Sequence, residues 1–264
     1  MDLKLEGSVA IITGPAKGMG AAVTRQFAAE GCKLVLVGRD TGAIEPIAEE
    51  VRAGGADAVI APCDITDTSA CEKAVAVARD TFGGRIDILV NIAGGSGPIG
   101  KTGAETSAEE FDEIVSLNVN GCFHTIRAVA PTMIDQKFGK VVNVGGTFGM
   151  RGRAGRLAYS SSKWGLRGVT KSFALELGPH NINVNYVAPG MVDGPRFRDK
   201  VCANMAKERG ITPEEAAAIH AEDYALRRVT QDTDVANACL FFASDVSRQV
   251  TGADLAVDGG WASL

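Results

Sequence analysis

The chain has 264 residues, of which 45% are hydrophobic and 22% charged, and it carries a formal net charge of −5. This length suits one large α/β domain or two small ones and can enclose a substantial core, and the acidic balance argues against a nucleic-acid-binding surface. No apolar run approaches the ~20 residues of a membrane span and the first seven residues hold no signal-like apolar stretch, so we expect an unexported, cytoplasmic protein with no membrane partner.

Seven short apolar runs, most of them rich in β-branched residues, predict strands that are buried on both faces. Longer amphipathic stretches lie between these runs, and the two longest predict helices over Glu109–Met133 and Ala158–Leu177. Strands that alternate with helices predict a doubly wound parallel sheet of about seven strands with helices on both faces. The predicted strands are Ser8–Thr13, Lys33–Val37, Asp57–Ala61, Ile86–Asn91, Lys140–Val144, Asn181–Val187 and Leu255–Val257.

No break in composition marks a second domain, so we interpret residues 1–264 as a single domain. The one long irregular region, Gly190–Ala225, lies between the sixth strand and the final helix. Within it, only Pro213–His220 is predicted to be helical, starting at Thr212. Irregular segments of this length in compact domains are usually lids or binding loops, so we expect a substrate lid at about 190–225.

The six cysteines and three histidines lack the spacing of a disulfide framework or a zinc site. No Cys-x-x-Cys pair occurs, and His124, His180 and His220 are far apart in the sequence. We expect no bound metal, and we interpret the cysteines as small buried apolar residues in a reducing compartment.

The first predicted strand runs directly into a glycine-rich turn at the start of a helix. The turn carries Gly14, Gly18, Met19 and Gly20 in the spacing Gly-x-x-x-Gly-x-Gly. Closely set glycines between a strand and a helix N-terminus can bring backbone N–H groups to a pyrophosphate. The motif opens a βαβ unit and therefore predicts binding of a dinucleotide.

Further motifs follow in a fixed order, and together with the glycine turn they resemble the short-chain dehydrogenase/reductase family in its branch of compact single domains. The resemblance covers nearly the whole chain and implies a Rossmann-like, NAD(P)-binding domain. The motifs are Cys63-Asp64-Ile65, Asn91-Ile92-Ala93-Gly94, Leu117-Asn118-Val119-Asn120-Gly121, Tyr159-x-x-x-Lys163, Pro189-Gly190 and Asp258-Gly259-Gly260.

The resemblance also implies which residues contact the cofactor. Relatives often have Thr where Gly194 stands, so this chain is expected to use backbone groups near Val192 instead. The expected cofactor contacts are Gly14, Lys17, Gly18, Met19, Gly20, Arg39, Asp64, Ile65, Asn91, Ala93, Gly94, Tyr159, Lys163, Pro189, Gly190 and Val192.

The end of the second strand favours NADP(H) over NAD(H). Members that prefer NAD resemble one another in an acid at the position of Gly38, where it binds the adenosine ribose. This chain has no side chain there, and Arg39 and Lys17 bring two cations that suit a 2′-phosphate. NAD(H) is the alternative if both cations are solvated or if Asp40 offsets Arg39.

Tyr159 and Lys163 stand four residues apart on a predicted helix, so their side chains share one face. A free tyrosine is a poor base at neutral pH, and a nearby ammonium group favours its phenolate. The pair therefore predicts a tuned general acid/base, and the resemblance implies that Lys163 also binds the nicotinamide ribose. For Asn118 the resemblance implies that the residue holds a water molecule in the proton relay that runs from Lys163. The alternative is that its buried side chain joins a helix to a strand by hydrogen bonds.

One residue of the family pattern is missing. Relatives usually carry Ser thirteen residues before the tyrosine, where its hydroxyl bonds the substrate oxygen, and this chain has Gly146 there. The nearest hydroxyl belongs to Thr147, which we predict to replace the serine as catalytic donor. The alternative is that Thr147 only caps the strand.

Three arginines precede the tyrosine closely: Arg151, Arg153 and Arg156. Their guanidinium groups suit an anionic substrate held by forked contacts. Solvated or interface arginines are the alternative.

These features favour an NADP(H)-dependent oxidoreductase that interconverts a secondary alcohol and a ketone, a small-molecule substrate. One alternative is a 3-oxoacyl-carrier-protein reductase, although the carrier-docking arginines of such relatives are replaced here by Lys137 and His180. A catalytically silent nucleotide sensor is the rival from another class: the lost serine favours it, and the intact Tyr159 and Lys163 oppose it.

The resemblance further implies a homotetramer, since relatives pair through the two long helices and the C-terminal strand. We expect Ile114, Val115, Phe173 and Leu177 to stay partly exposed on a lone domain for that reason.

Overall fold

The computed structural model of the protein describes residues 2–262. Within them seven strands form one sheet in the order β3-β2-β1-β4-β5-β6-β7, and every neighbouring pair is parallel. The predicted doubly wound sheet is thereby confirmed, and its strand order reverses between β1 and β4. The strands are β1 Val9–Thr13, β2 Lys33–Gly38, β3 Ala58–Pro62, β4 Ile88–Asn91, β5 Gly139–Val144, β6 Ile182–Pro189 and β7 Asp254–Val257.

The helices cover both faces of the sheet. Successive strand residues point to opposite faces, so Ile12 and Leu36 join a core with α1, α2 and α9, whereas Ile11 and Val35 join a core with α3, α5 and α6. The helices of the described chain are α1 Met19–Ala29, α2 Thr41–Ala53, α3 Thr68–Thr81, α4 Ala108–Val115, α5 Gly121–Gln136, α6 Leu157–Leu177, α7 Ala203–Arg209, α8 Pro213–Glu222 and α9 Asp232–Ala243.

The predicted helix Glu109–Met133 is two helices joined by a π-helical turn at Ser116–Asn120. The chain stays helical throughout, so the apolar spacing alone indicates one element. A π turn inserts an extra residue into the helix and is frequent at functional sites. Here it carries Asn118.

The prediction that 190–225 is irregular outside Pro213–His220 is wrong. A π-helical segment, Phe197–Cys202, continues into α7, and α8 follows with the predicted cap at Thr212. The reason is a small apolar core of the region's own, in which Phe197, Cys202, Ala206 and Ala216 are buried together.

The expected exposure on the long helices is only partly correct. Val115 and Phe173 are half-buried, but Ile114 and Leu177 are buried. Leu177 belongs to the core between the sheet and α3, α5 and α6, and Ile114 lies close against the backbone at Gly95 and Gly97.

The cysteines are buried and free, as predicted. Two of them, Cys63 and Cys71, lie with their Sγ atoms 3.9 Å apart. Within residues 2–262, no cluster of His, Cys, Asp or Glu side chains is placed to hold a metal ion. No helix in this range combines the length and the apolar character needed to cross a membrane.

The chain that leaves β5 is shaped by a buried tyrosine on β6. The Tyr186 side chain is fully buried, and a β-carbon at Gly145 would lie 2.0 Å from its Cζ and Oη atoms. The Tyr186 hydroxyl accepts a hydrogen bond from the Gly146 N–H and donates one to the Gly146 carbonyl, both at 3.0 Å. Tyr186 therefore requires glycine at position 145 and fixes the peptide of Gly146.

Gly145→Ala should destabilise the protein strongly, because the ring of a buried tyrosine cannot move aside. We expect a loss of about 1–3 kcal/mol in the free energy of unfolding, typical of an overpacked core, measured by urea denaturation. Gly168→Ala on α6 is the matched control, since no atom lies within 4 Å of its β-carbon position. If the second variant lost as much stability as the first, contact with Tyr186 would not be the cause.

Candidate active site

The glycine turn after β1 forms a cradle that side chains would fill. Gly14 and Gly18 have φ values of 68° and 53°, in the left-handed region that favours glycine. A β-carbon at Gly20 would lie 2.0 Å from the Gly14 carbonyl oxygen. No side chain of the described residues caps the start of α1, so its first N–H groups suit a phosphate.

The loop after β4 is fastened to this turn. The Thr13 hydroxyl accepts hydrogen bonds from the N–H groups of Ile92 and Ala93, at 3.0 and 3.1 Å. A β-carbon at Gly14 would lie 2.9 Å from the Ala93 Cα. The structure thus brings together the two predicted cofactor segments. The sequence analysis missed the role of Thr13, whose signal is a hydroxyl at the end of an otherwise apolar strand.

The residues predicted to select the cofactor, Lys17 and Arg39, follow the carboxyl ends of β1 and β2. Lys17 and Arg39 are exposed, and Arg39 lies 3.6 Å from a carboxylate oxygen of Asp64. Two hydrogen bonds from Thr66 and the charge of Arg39 lower the pKa of Asp64. The Asp40 carboxylate accepts from the Ala43 N–H at 3.0 Å and so caps α2.

The predicted acid/base pair lies in the first turns of α6. The Lys163 Nζ lies 5.6 Å from the centre of the Tyr159 ring. Lys163 is buried, and no carboxylate of residues 2–262 lies within ion-pair distance of it. A β-carbon at Gly94 would lie 3.7 Å from Nζ. The loop after β4 therefore lies beside Lys163 as well as beside the glycine turn.

Asn118 is fully buried, and its amide joins three parts of the site. Its Oδ1 accepts from the Gly95 N–H at 2.8 Å, while its Nδ2 donates to the Gly95 carbonyl at 3.0 Å and to the Ser162 hydroxyl at 2.9 Å. The side chain thus has the joining role that was the alternative in the sequence analysis. The water relay stays a prediction.

Gly146 lies against the hydroxyl of Tyr159, and a β-carbon there would be 3.1 Å from the Tyr159 Oη. A side chain at this position would reach the Tyr159 hydroxyl, so glycine leaves space there. Thr147 is buried, and its carbonyl accepts from Met150 and Arg151. Its own hydroxyl makes no hydrogen bond within the described residues. Sequence reasoning missed Tyr186 here, because its contact with Gly145 and Gly146 arises only when β5 pairs with β6.

The three predicted substrate arginines differ in their surroundings. Arg151 is exposed, lies 4.8 Å from the ring of Trp261 and donates to the Trp261 carbonyl. Arg153 is exposed and lies 5.7 Å from the ring of Phe148. Arg156 is buried, with its guanidinium carbon 4.7 Å from the centre of the Tyr159 ring.

The segment after β6 is held by three neighbours. The Gly190 N–H donates to the Val257 carbonyl at 3.0 Å, and the Met191 N–H donates to the Tyr224 hydroxyl at 3.0 Å. Val192 pairs with Thr230 in an isolated bridge. These bonds fix the segment Pro189–Val192 at the same edge of the sheet as the carboxyl ends of β1, β4 and β5, where open α/β sheets bind ligands.

Comparison with known proteins agrees with this geometry. The family model described as short chain dehydrogenase matches residues 8–205. The chain is 33% identical over 258 residues to 2,5-dichloro-2,5-cyclohexadiene-1,4-diol dehydrogenase LinX of Sphingobium indicum, which covers 98% of this chain and 97% of that protein. It is 34% identical over 262 residues to 3-oxoacyl-[acyl-carrier-protein] reductase FabG of Thermotoga maritima, covering 98% and 99% of the two chains.

Among solved structures, NAD+-bound xylitol dehydrogenase superposes with a TM-score of 0.90 at 29% identity, over 97% of this chain and all of that one. The likeness therefore extends over the whole domain.

Proposed function

The chain belongs to the short-chain dehydrogenase family, and we propose that it interconverts a secondary alcohol and a ketone with NADP(H), using Tyr159 as general acid/base. The observation that carries the proposal is the placement of Tyr159 and Lys163 beside the loop that also borders the glycine turn. The glycine cradle and the uncapped start of α1 suit a dinucleotide.

A nicotinamide dinucleotide, when bound, supplies or accepts the hydride. In the reducing direction the Tyr159 hydroxyl donates its proton to the oxygen of the ketone, and in the oxidising direction its oxygen takes the proton of the alcohol. The buried ammonium group of Lys163 lies 5.6 Å from the centre of the Tyr159 ring and completes the proposed pair. Asn118 positions the loop after β4 and helix α6 relative to each other, because it bonds Gly95 in the loop and Ser162 on the helix directly.

The preference for NADP(H) is supported by charge. Lys17 and Arg39 are exposed cations near the expected adenosine end, and position 38 has no acid to bind the ribose hydroxyls. Asp40, the acid that could oppose them, has its carboxylate engaged in capping α2. Asp64 lies 3.6 Å from Arg39, and its charge limits the preference without removing it.

The Lys17→Ala/Arg39→Ala double variant should raise the KM for NADPH roughly tenfold or more, because it removes charge-assisted contacts to the 2′-phosphate. The KM for NADH should hardly change. Initial rates with both cofactors measure this, and Lys33→Ala/Arg79→Ala, at the far ends of β2 and α3, is the matched control. Equal efficiency of the native protein with NADPH and NADH would contradict the proposal.

Thr147 is proposed as the donor that replaces the missing serine. Its hydroxyl makes no hydrogen bond within residues 2–262, although the residue is buried beside Gly146. Gly146 faces the Tyr159 hydroxyl without a side chain and leaves room for a substrate oxygen. A donor next to that oxygen would stabilise the charge that it gains during hydride attack.

Thr147→Val should lower kcat by about 10²–10³, the usual loss when one such donor is removed, while the KM for NADPH stays unchanged. Steady-state kinetics on the best substrate measures the change. Gly146→Ser/Thr147→Val serves as a rescue variant, since a serine at position 146 would place its hydroxyl close to Tyr159. A Thr147→Val protein with nearly native kcat would show that this site works without that hydroxyl.

A homotetramer is proposed as the assembly. Four large apolar side chains are exposed on the two long helices: Phe123 on α5, and Leu157, Trp164 and Leu175 on α6. Phe123 also stacks on Phe173 at 6.1 Å, which extends the apolar face across both helices. Such a face on a lone domain suits contact with a second copy.

Phe123→Glu/Trp164→Glu should dissociate the tetramer into smaller species, because it places two charges in an apolar contact. Light scattering coupled to gel filtration at micromolar concentration measures the mass, with Arg79→Glu as the control for added negative charge. A native protein that is monomeric in this measurement would refute the assembly.

A carrier-protein reductase remains the second candidate, on the ground of the likeness to the Thermotoga maritima protein. Lys137 and His180 lie near each other, since Asn181 donates from its side chain to the Lys137 carbonyl. A lysine and a histidine thus stand where the carrier-docking relatives have two arginines. Comparing kcat/KM on a 3-oxoacyl carrier protein with the corresponding small thioester separates the candidates.

A further inference from the structure

Arg156 occupies a position that does not favour an unpaired cation. It is the N-cap residue of α6, a helix of 21 residues, and its side chain makes no capping hydrogen bond. Helix N-termini carry a partial positive charge and prefer Ser, Thr, Asp or Asn as caps. A guanidinium group there is repelled by the helix.

Burial makes the position worse. Arg156 is only 8% exposed, and its Nε is buried without a hydrogen-bond partner. No carboxylate in the described part of the chain lies within 4.0 Å of its guanidinium nitrogens. Buried charges are ordinarily paired or hydrogen-bonded.

Nearby charges add to the imbalance. Burial is the main cause that lowers the pKa of Arg156, and the positive charges of Arg196 and Arg153 lower it further, against an opposing effect of Tyr159. Arg196 comes from the segment after β6 and Arg153 from the loop before α6, so different parts of the chain bring like charges to one place. An anion bound among these arginines would offset three unfavourable effects at once: repulsion by the helix N-terminus, burial of the Arg156 charge and repulsion between the arginines.

The guanidinium group lies at the reacting end of the molecule. Its central carbon is 4.7 Å from the centre of the Tyr159 ring and 5.8 Å from that of Phe148. Phe148 in turn meets Tyr159 edge-on at 5.9 Å and contacts Trp261 at 5.5 Å. A small molecule at Tyr159 would therefore meet aromatic walls and one buried cation.

We propose that Arg156 binds the carboxylate of the substrate, so that the substrate is a short hydroxy or oxo acid. The planar guanidinium fork suits a carboxylate, and the aromatic rings suit its carbon skeleton. Because Arg156 stacks on the ring that carries the reacting hydroxyl, the acid group lies within a few bonds of the reacting carbon. This inference rests on the proposed function, in which the reaction takes place at Tyr159.

The test compares 2-oxobutanoate, 3-oxobutanoate and 4-oxopentanoate with their methyl esters, in reduction by NADPH. We expect the native protein to favour at least one acid over its ester. Arg156→Met should lower kcat/KM for that acid roughly 30- to 1,000-fold, as expected when one partner of a buried charge contact is removed, and should lower kcat/KM for the ester much less. Arg79→Met, an exposed arginine on α3, is the matched control and should change neither.

Arg156→Lys is the second variant, in case Arg156→Met does not fold. It keeps the positive charge but loses the forked guanidinium geometry. It should retain part of the preference for the acid. An equal loss on acid and ester in Arg156→Met, or a native protein indifferent to the acid group, would overturn the proposal.

A binding measurement separates this proposal from the proposed function. Butanoate, which has no reacting carbonyl, should raise the Tm of the native protein in the presence of NADPH, whereas butanamide should not, and Arg156→Met should abolish the effect. Binding of butanoate without turnover of any ketone or alcohol would support the anion site and count against the oxidoreductase. Turnover of neutral ketones without binding of butanoate would support the oxidoreductase and overturn the anion site.

Discussion

The loop that follows β4 is the part on which both ends of the site depend. The Thr13 hydroxyl holds its Ile92 and Ala93 N–H groups from the side of the glycine turn, and the Asn118 amide holds both polar groups of Gly95 from the other side. This backbone is partly buried and lies outside the sheet, so its N–H and C=O groups need partners other than a neighbouring strand. Two polar side chains do this from β1 and from the π turn, so a shift in either would move the dinucleotide cradle relative to Tyr159 and Lys163.

A second constraint shapes the chain at the end of β5. The Tyr186 ring fills the space in which a side chain at Gly145 would lie, and its hydroxyl bonds both polar groups of Gly146. The Tyr186 side chain on β6 therefore fills the space that a side chain after β5 would otherwise occupy. The backbone beside Tyr159 is held by a neighbouring strand, and glycine at position 146 leaves space in front of the Tyr159 hydroxyl.

How far the sequence predicts the molecule depends on whether a feature is local. The buried strands are visible as continuous apolar runs, and the doubly wound sheet follows from their alternation with helices. The π turn at Ser116–Asn120 is not visible, because helical periodicity continues across one extra residue. The contact between Tyr186 and Gly145 arises only from the pairing of β5 with β6. Likewise Arg151, Arg153 and Arg156 look alike in the sequence, and burial alone distinguishes the third.

The charges around Tyr159 link these features. Lys163 lies 5.6 Å and Arg156 4.7 Å from the centre of its ring, and both are buried in a protein whose net charge is −5. A carboxylate at Arg156 would offset one of these two charges. The anion that positions the substrate would then also change the charge around Tyr159, so that binding of the substrate and the electrostatic surroundings of the proposed acid/base would be coupled through one guanidinium group.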